Sequence, residues 1–283
     1  MTDRILALLE NPAKAGQWDR RGMVMGHVQS GKTANYTGLV CKAADAGYKV
    51  IVIIAGIHNN LRNQTQRRID EGFIGRASTG RLGAKVPALT LVGVGRFDSR
   101  RQPNSFTTSQ RDFNKMIADS ISIPLQNLVQ PVVFVIKKNS STLRNLIEWL
   151  AAQNARHGTK TVREPMLLID DEADNASINI KHEQDEISTI NHQIRELLAL
   201  FDRKCYVAYT ATPFANIFID PDSEDEMLSH DLFPRDFIVS LDPPDNYFGA
   251  TRVFSDETKS IVWPIDDNAD LLPLKHRIDH RVT

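Results

Sequence analysis

Cysteine is scarce in this chain of 283 residues. There are two, Cys41 and Cys205, each in an apolar stretch with no metal-type partner close in sequence. A disulfide framework and a thiolate zinc site are therefore not expected, and a reducing compartment fits. Net charge is nearly absent as well, at −1. No global field draws the chain to nucleic acid or to an anionic membrane, so any such binding needs a local patch. Long apolar runs are missing too. The longest, Val50 to Ile57, is eight residues, too short to cross a bilayer and well suited to a buried strand. The opening MTDRILALLENPAKAG begins with charges and has too short an apolar run for a signal peptide. A cytoplasmic protein without a membrane partner is expected. Internal repeats and low-complexity tracts are absent.

What is present is a rhythm. Short runs rich in Val and Ile recur at Gly22–Gly26, Val50–Ala55, Leu89–Val94, Val132–Ile136, Met166–Ile169, Tyr206–Tyr209 and Phe237–Leu241. Most lack polar alternation, as strands do when both faces are buried in a parallel sheet. Between them lie segments of helical period. Thr33–Ala46 ends before Gly47, a natural stop, and Ser141–Ala155 has Ser141 available as a cap. Ser188–Phe201 carries Ile190, Ile194, Leu197 and Leu198 on one face. Alternating strands and helices predict an α/β layer sandwich with a mainly parallel sheet. Residues 1–20 read as a helical lead-in, 21–245 as the main lobe, and 246–283 as a linker or the start of a second lobe. Gly80–Pro87 and Phe97–Phe106 read as loops.

One turn carries a specific chemistry. Gly26-His27-Val28-Gln29-Ser30-Gly31-Lys32-Thr33 satisfies G-x-x-x-x-G-K-[ST], after an apolar strand and before a helix. Glycines let backbone N–H groups turn inward around phosphates, and the helix start adds its positive end. Gly26, Gln29, Ser30, Gly31, Lys32 and Thr33 are the candidate nucleotide-binding residues. Lys32 is expected at the β- and γ-phosphates, and the Thr33 hydroxyl on magnesium. ATP and Mg²⁺ are the expected ligands.

A phosphate loop needs a carboxylate at a neighbouring strand end. Met166–Ile169 is such a strand, followed by Asp170-Asp171-Glu172-Ala173-Asp174. Asp171 is the candidate metal carboxylate and Glu172 the group that orients or deprotonates water, with the register open by one residue because of the Asp170-Asp171 doublet. A third strand, Cys205–Tyr209, runs into Thr210-Ala211-Thr212-Pro213, in the same order and 39 residues after Asp171. Hydroxyls at a strand's C-terminal end lie where ligands collect. Thr210 and Thr212 are candidates to bond the acidic motif and sense the γ-phosphate.

Together these elements resemble superfamily 2 helicases and translocases: Lys32 and Thr33 in motif I, Asp171-Glu172-Ala173-Asp174 as the DEAD form of motif II, Thr210-Ala211-Thr212 in motif III. The resemblance implies a three-layer RecA-like P-loop lobe. More narrowly, GHVQSGKTANYTGLVCKAADAGYKVIVIIAGIHNNLRNQTQRRIDEGF, LLIDDEADNASIN, YTATPFANIFID and LDPPDNYFG look like the Z1 domain family, over roughly Gly22 to Gly249. Its members are labelled putative endonucleases of restriction-modification and phage-defence loci. That likeness implies an ATP-dependent enzyme acting on DNA. Superfamily 2 motors add a second lobe with arginines, and no Q-x-x-G-R-x-x-R pattern follows Thr212. A second lobe in a longer chain or a partner subunit is the expectation.

In that resemblance the segment after the Val50–Ala55 strand is where motif Ia touches the nucleic-acid backbone. Asn60, Arg62, Asn63, Gln64 and Thr65 are the candidates, with Lys137-Lys138 as a further pair. From Arg62 to Arg101 there are nine Lys or Arg against three acids, whereas Asp220 to Asp245 holds nine acids against Arg235 alone. The first stretch suits a polyanion and the second a solvated loop. Trp18 is a core residue or an adenine platform. Asp245 with Glu257 and Lys259 fits a loose nuclease string, which leaves an ATP-gated endonuclease and a nucleotide-controlled binding module as alternatives. His27 is a loop variable, and His182, His192 and His230 show no ligand spacing.

Overall fold

The Val- and Ile-rich runs become strands buried on both faces. The structure, a computed structural model, describes residues 1–28, 30–78, 90–100, 103–121, 129–156, 158, 161–174, 185–213, 232–243, 245, 247, 249 and 253. In chain order the elements are α1 (Thr2–Leu8), β1 (Trp18–Met25), α2 (Lys32–Ala46), β2 (Val50–Ala55), α3 (Asn59–Ile69), β3 (Asn104–Ser105), α4 (Lys115–Ile121), β4 (Val132–Ile136), α5 (Ser140–Arg156), β5 (Met166–Asp171), α6 (Asp185–Ala199), β6 (Arg203–Thr210) and β7 (Phe237–Ser240).

The seven strands form one sheet in the order β3-β4-β2-β5-β6-β1-β7. Every pairing is parallel. Side chains alternate between its faces, as the two-residue strand period requires. Val50, Val52, Ile54, Phe134, Leu168 and Tyr206 join a core with Leu143, Leu146 and Trp149 of α5 and Ile194 and Leu197 of α6. Ile51, Ile53, Val133, Leu167, Ile169 and Val207 join a second core with Ile5 of α1, Tyr36, Leu39 and Val40 of α2, and Ile69 of α3. Each such side chain contributes about 1.5–3 kcal/mol by leaving water. The result is a three-layer α/β lobe, with β6 between the strand that precedes Gly26 and the strand that ends in Asp171.

Several boundaries differ from the sequence expectation. β1 starts at Trp18 and β6 at Arg203, not at Gly22 and Tyr206. These added residues pair with each other, Trp18 with Arg203 and Arg20 with Cys205. Asn139, not Ser141, caps α5: its Oδ1 accepts from the Ser141 N–H (3.1 Å) and the Thr142 N–H (3.4 Å). The expected strand at Leu89–Val94 is not one. Leu91 makes a single antiparallel bridge to Arg76, and Gly93–Arg96 is a 3₁₀ turn. A side chain at Gly93 would lie 1.9 Å from the Glu71 carbonyl oxygen, and one at Gly95 would lie 1.9 Å from that of Gly75. Two glycines let this turn lie backbone against backbone on Asp70–Gly75, and glycines without side chains to pack weaken a strand here. The loop expected at Phe97–Phe106 contains β3, and Gly80–Pro87 lies outside the described residues.

Met1–Pro243 forms one compact unit and Pro244–Thr283 another. In the second, the Val253 N–H donates to the Gly249 carbonyl at 3.0 Å. Among the described residues no helix is long and apolar enough to cross a membrane.

Candidate active site

An all-parallel sheet brings every strand's C-terminal end to one edge, and the registers bring several ends level. Met25 pairs with Thr210, Tyr209 with Asp171, and Asp171 with Ala55. The turn between β1 and α2, the acidic motif and the Thr210–Thr212 segment therefore meet along one rim, although Lys32 and Asp171 lie 139 positions apart in the chain.

The turn after β1 is tightly closed. The Gly26 N–H donates to the Thr210 carbonyl at 3.1 Å. A side chain at Gly26 would come within 2.9 Å of Ser30 Oγ and 3.2 Å of Lys32 Cγ, so a larger residue would require these side chains to shift. Helix α2 then starts with Gly31 as its left-handed cap and no side chain capping its first N–H groups. Those groups remain available to an anion. Lys32 Nζ donates to the carbonyls of Gly26 (3.1 Å) and His27 (3.0 Å). Its pKa is pushed down by burial, against the opposing pull of Asp171, Asp174 and Glu172. Ser30 Oγ is buried and has no hydrogen-bond partner among the described residues. Gln29 lies outside the described residues.

The acidic doublet is split by strand alternation. Asp170 points to the α5/α6 face, fully buried, where Tyr206 Oη donates to its Oδ2 at 2.8 Å and Lys138 Nζ lies 2.8 Å from its Oδ1. Asp171 points to the α2 face, where Tyr36 Oη donates to its Oδ2 at 3.0 Å. Burial raises the Asp171 pKa, and the Tyr36 hydrogen bond opposes that rise. Glu172 follows in a left-handed conformation, φ 52°. Asp174 is held from the third strand: Thr210 Oγ1 donates to its Oδ1 at 2.7 Å, and Thr212 Oγ1 to its Oδ2 at 2.5 Å. The two threonines and the acidic motif are thus tied into one unit.

Lys32, Thr33, Asp171, Glu172, Asp174, Thr210 and Thr212 line a cleft of about 750 Å³, together with Leu61, Gln64, Thr65 and Arg68 of α3. The spacing of those four puts them in one stripe along the helix. This corrects the nucleic-acid expectation for part of α3. Arg62 is 1% exposed. Its guanidinium donates to the carbonyls of Thr108 (2.7 Å), Val135 (3.3 Å) and Arg111 (3.4 Å), so it cannot reach a nucleic-acid phosphate. Thr65 is buried and Gln64 faces the cleft. Asn63 is half-buried and accepts from Arg62, which leaves Asn60 exposed near the helix start. Lys138 is also withdrawn, with no exposed side chain. Trp18 is core, edge-on to Tyr48 at 6.0 Å and at the opposite end of β1 from the turn. Glu257, Lys259, His182 and His230 lie outside the described residues.

Tyr36 was not singled out from the sequence, whereas Lys138 and Arg68 were read there only as part of a nucleic-acid face and not as neighbours of the acidic motif. Tyr36 lies three residues after Thr33, one turn along the same helix face, and that spacing could have revealed it. Lys138 stands two residues past β4, where a parallel sheet delivers side chains to the rim. Arg68 is exposed and, among the described residues, makes no ion pair.

The rim fits a magnesium–triphosphate in its chemistry. It offers hard oxygen donors in Thr33 and Asp171, cations in Lys32 and Arg68, an uncapped helix start, and an unpartnered buried hydroxyl in Ser30. Among the described residues no three His, Cys, Asp or Glu side chains form a metal cage. Magnesium beside phosphates needs only one or two protein carboxylates.

A parallel α/β lobe with a phosphate-loop-like turn facing paired carboxylates is the class that fold and site define. No protein-family model matches the sequence, and no curated protein matches it. Among solved structures the chain is similar to one described as a nuclease-deletion mutant of the Type ISP restriction-modification enzyme LlaGI in complex with a DNA substrate mimic. That likeness has 12% identity and a TM-score of 0.41, and it covers 100% of this chain. The chain spans 22% of that neighbour's length.

Proposed function

We propose that this chain is an ATP-binding and ATP-hydrolysing lobe of the superfamily 2 helicase-like kind, of the Z1 type, acting on DNA in restriction-modification or phage defence. The observation that carries the ATP reading is the single cleft lined by Lys32, Thr33, Asp171 and Glu172. The motif order and the Z1 resemblance support the DNA reading.

In this account the α2 N-terminus and Lys32 hold the β- and γ-phosphates, with Gly26, Gln29, Ser30 and Gly31 shaping the loop. Arg68 faces the same phosphates from α3. Thr33 and Asp171 are the groups that hold magnesium, which when bound neutralises phosphate charge. Glu172 orients the attacking water and takes its proton. Thr210 and Thr212 relay the state of the nucleotide through Asp174. Asn60 remains the α3 residue placed to meet a nucleic-acid backbone. A second RecA-like lobe, in a longer chain or a partner subunit, supplies the remaining arginines.

Calorimetric titration with a non-hydrolysable ATP analogue tests the site. Wild-type protein is expected to bind it with magnesium, and Lys32→Ala to lose at least about 3 kcal/mol of binding free energy, as for a charge-assisted phosphate contact with its positioning role. Equal affinity in the two proteins would refute the assignment.

A further inference from the structure

We propose that Lys138 is a positioning residue: it holds the turn Asp170–Glu172 in the conformation that presents Asp171 to the metal and Glu172 to the attacking water, and this role is separable from fold stability. The inference rests on the nucleotide reading above.

The lysine reaches across the sheet. It follows β4, whereas its targets end β5, and β2 lies between them. Two strand spacings are about 9–10 Å, a span that needs a long side chain. Its backbone is fixed where it passes β2, since the Lys138 N–H donates to the Gly56 carbonyl at 2.8 Å. The ammonium then meets three consecutive residues. It lies 2.8 Å from Asp170 Oδ1 and donates to the carbonyls of Asp171 (3.1 Å) and Glu172 (2.7 Å). Asp170 alone answers the requirement that a buried charge be paired. The two carbonyl bonds fall on the residues that carry the chemistry.

Those residues need holding. Glu172 has φ 52°, a region that residues other than glycine, asparagine and aspartate seldom occupy. Such a conformation persists when its surroundings over-determine it, and it tends to mark a functional site. Here the constraints are the Lys138 bond to the Glu172 carbonyl, the Glu172 N–H on Asp171 Oδ1 (3.1 Å), and the Ala173 N–H on the Tyr209 carbonyl (3.1 Å). Of these three, the Lys138 bond is the one that ties the turn to a strand on the far side of β2.

The test is the double variant Lys138→Met/Asp170→Asn. It removes both buried charges together, which is often neutral for stability, and the amide oxygen that replaces the carboxylate can still accept from Tyr206. Melting temperature and circular dichroism report the fold. Titration with a non-hydrolysable ATP analogue, with and without magnesium, reports the site independently of turnover. The expected result is a wild-type fold, wild-type affinity without magnesium, and a loss of about 10- to 100-fold in the magnesium-dependent gain and in hydrolysis. Wild-type magnesium dependence and turnover in this variant would overturn the proposal. A double variant that cannot fold would overturn it too, since separability is part of the claim. Absence of triphosphate binding by the wild-type protein would refute the nucleotide reading instead.

Discussion

Glu172 and Arg62 are both polar residues near the same cleft, and their surroundings give them opposite roles. Glu172 lines the cleft beside Lys32 and Asp171. Glu172→Gln is expected to keep nucleotide affinity and to lower hydrolysis by about 100-fold or more, measured as phosphate release beside analogue titration. Arg62 is enclosed and satisfies three backbone carbonyls. Arg62→Ala is expected to lower unfolding free energy in urea by about 2–4 kcal/mol, because it strands those acceptors in the interior. Nucleotide affinity of the folded protein should be unchanged. That Lys32, Asp171, Glu172, Thr210 and Thr212 would share one cleft was legible in the sequence from the order and spacing of their motifs. Arg62 was not, since α3 has few apolar residues to mark which side faces inward. Strand alternation separates Asp170 from Asp171: Asp171 shares the face of Leu167 and Ile169, which α2 covers, and lines the cleft, whereas Asp170 lies on the other face.

At the scale of elements, α3 departs most from expectation. Its Leu61, Gln64, Thr65 and Arg68 stripe turns toward the cleft, while Arg62, Gln66 and Ile69 are buried behind it. Gln66 anchors that inner side: its Nε2 donates to Asp70 at 2.9 Å, and its Oε1 accepts from Thr107 at 2.7 Å. Arg68→Ala is therefore expected to weaken triphosphate binding about tenfold and diphosphate binding much less, checked by parallel titrations. Equal losses for both nucleotides would remove Arg68 from the terminal phosphate. The strands were legible where β-branched runs are buried on both faces, and β2 and β4 match residue for residue. The starts of β1 and β6 were missed because Asp19-Arg20-Arg21 and Arg203-Lys204 are charged. The sheet pairs them through backbone bonds, and ion pairs such as Arg21–Asp19 at 2.9 Å hold their charges at the sheet's end.

For the whole molecule, topology does the assembling. Parallel strands with level ends collect motifs from four chain segments on one rim, and each helix layer seals one face of the sheet. The proposed partners, a second lobe and DNA, act on this rim from outside. Hydrolysis by the 283-residue chain alone is expected to be slow, and DNA is expected to raise it in the assembled enzyme, measured by coupled phosphate release with and without duplex DNA. Rates that ignore DNA in the assembled enzyme would favour a nucleotide-controlled binding module.

The central claim is that residues 139 positions apart serve one metal–triphosphate. Electron paramagnetic resonance of Mn²⁺, used in place of magnesium, tests it directly with the wild-type protein, Lys32→Ala and Asp171→Ala. Retention of Mn²⁺ by the wild-type protein only in the presence of a non-hydrolysable ATP analogue, and loss of that retention in both variants, is the expected result. Mn²⁺ retained with the analogue by either variant as by wild type would contradict it.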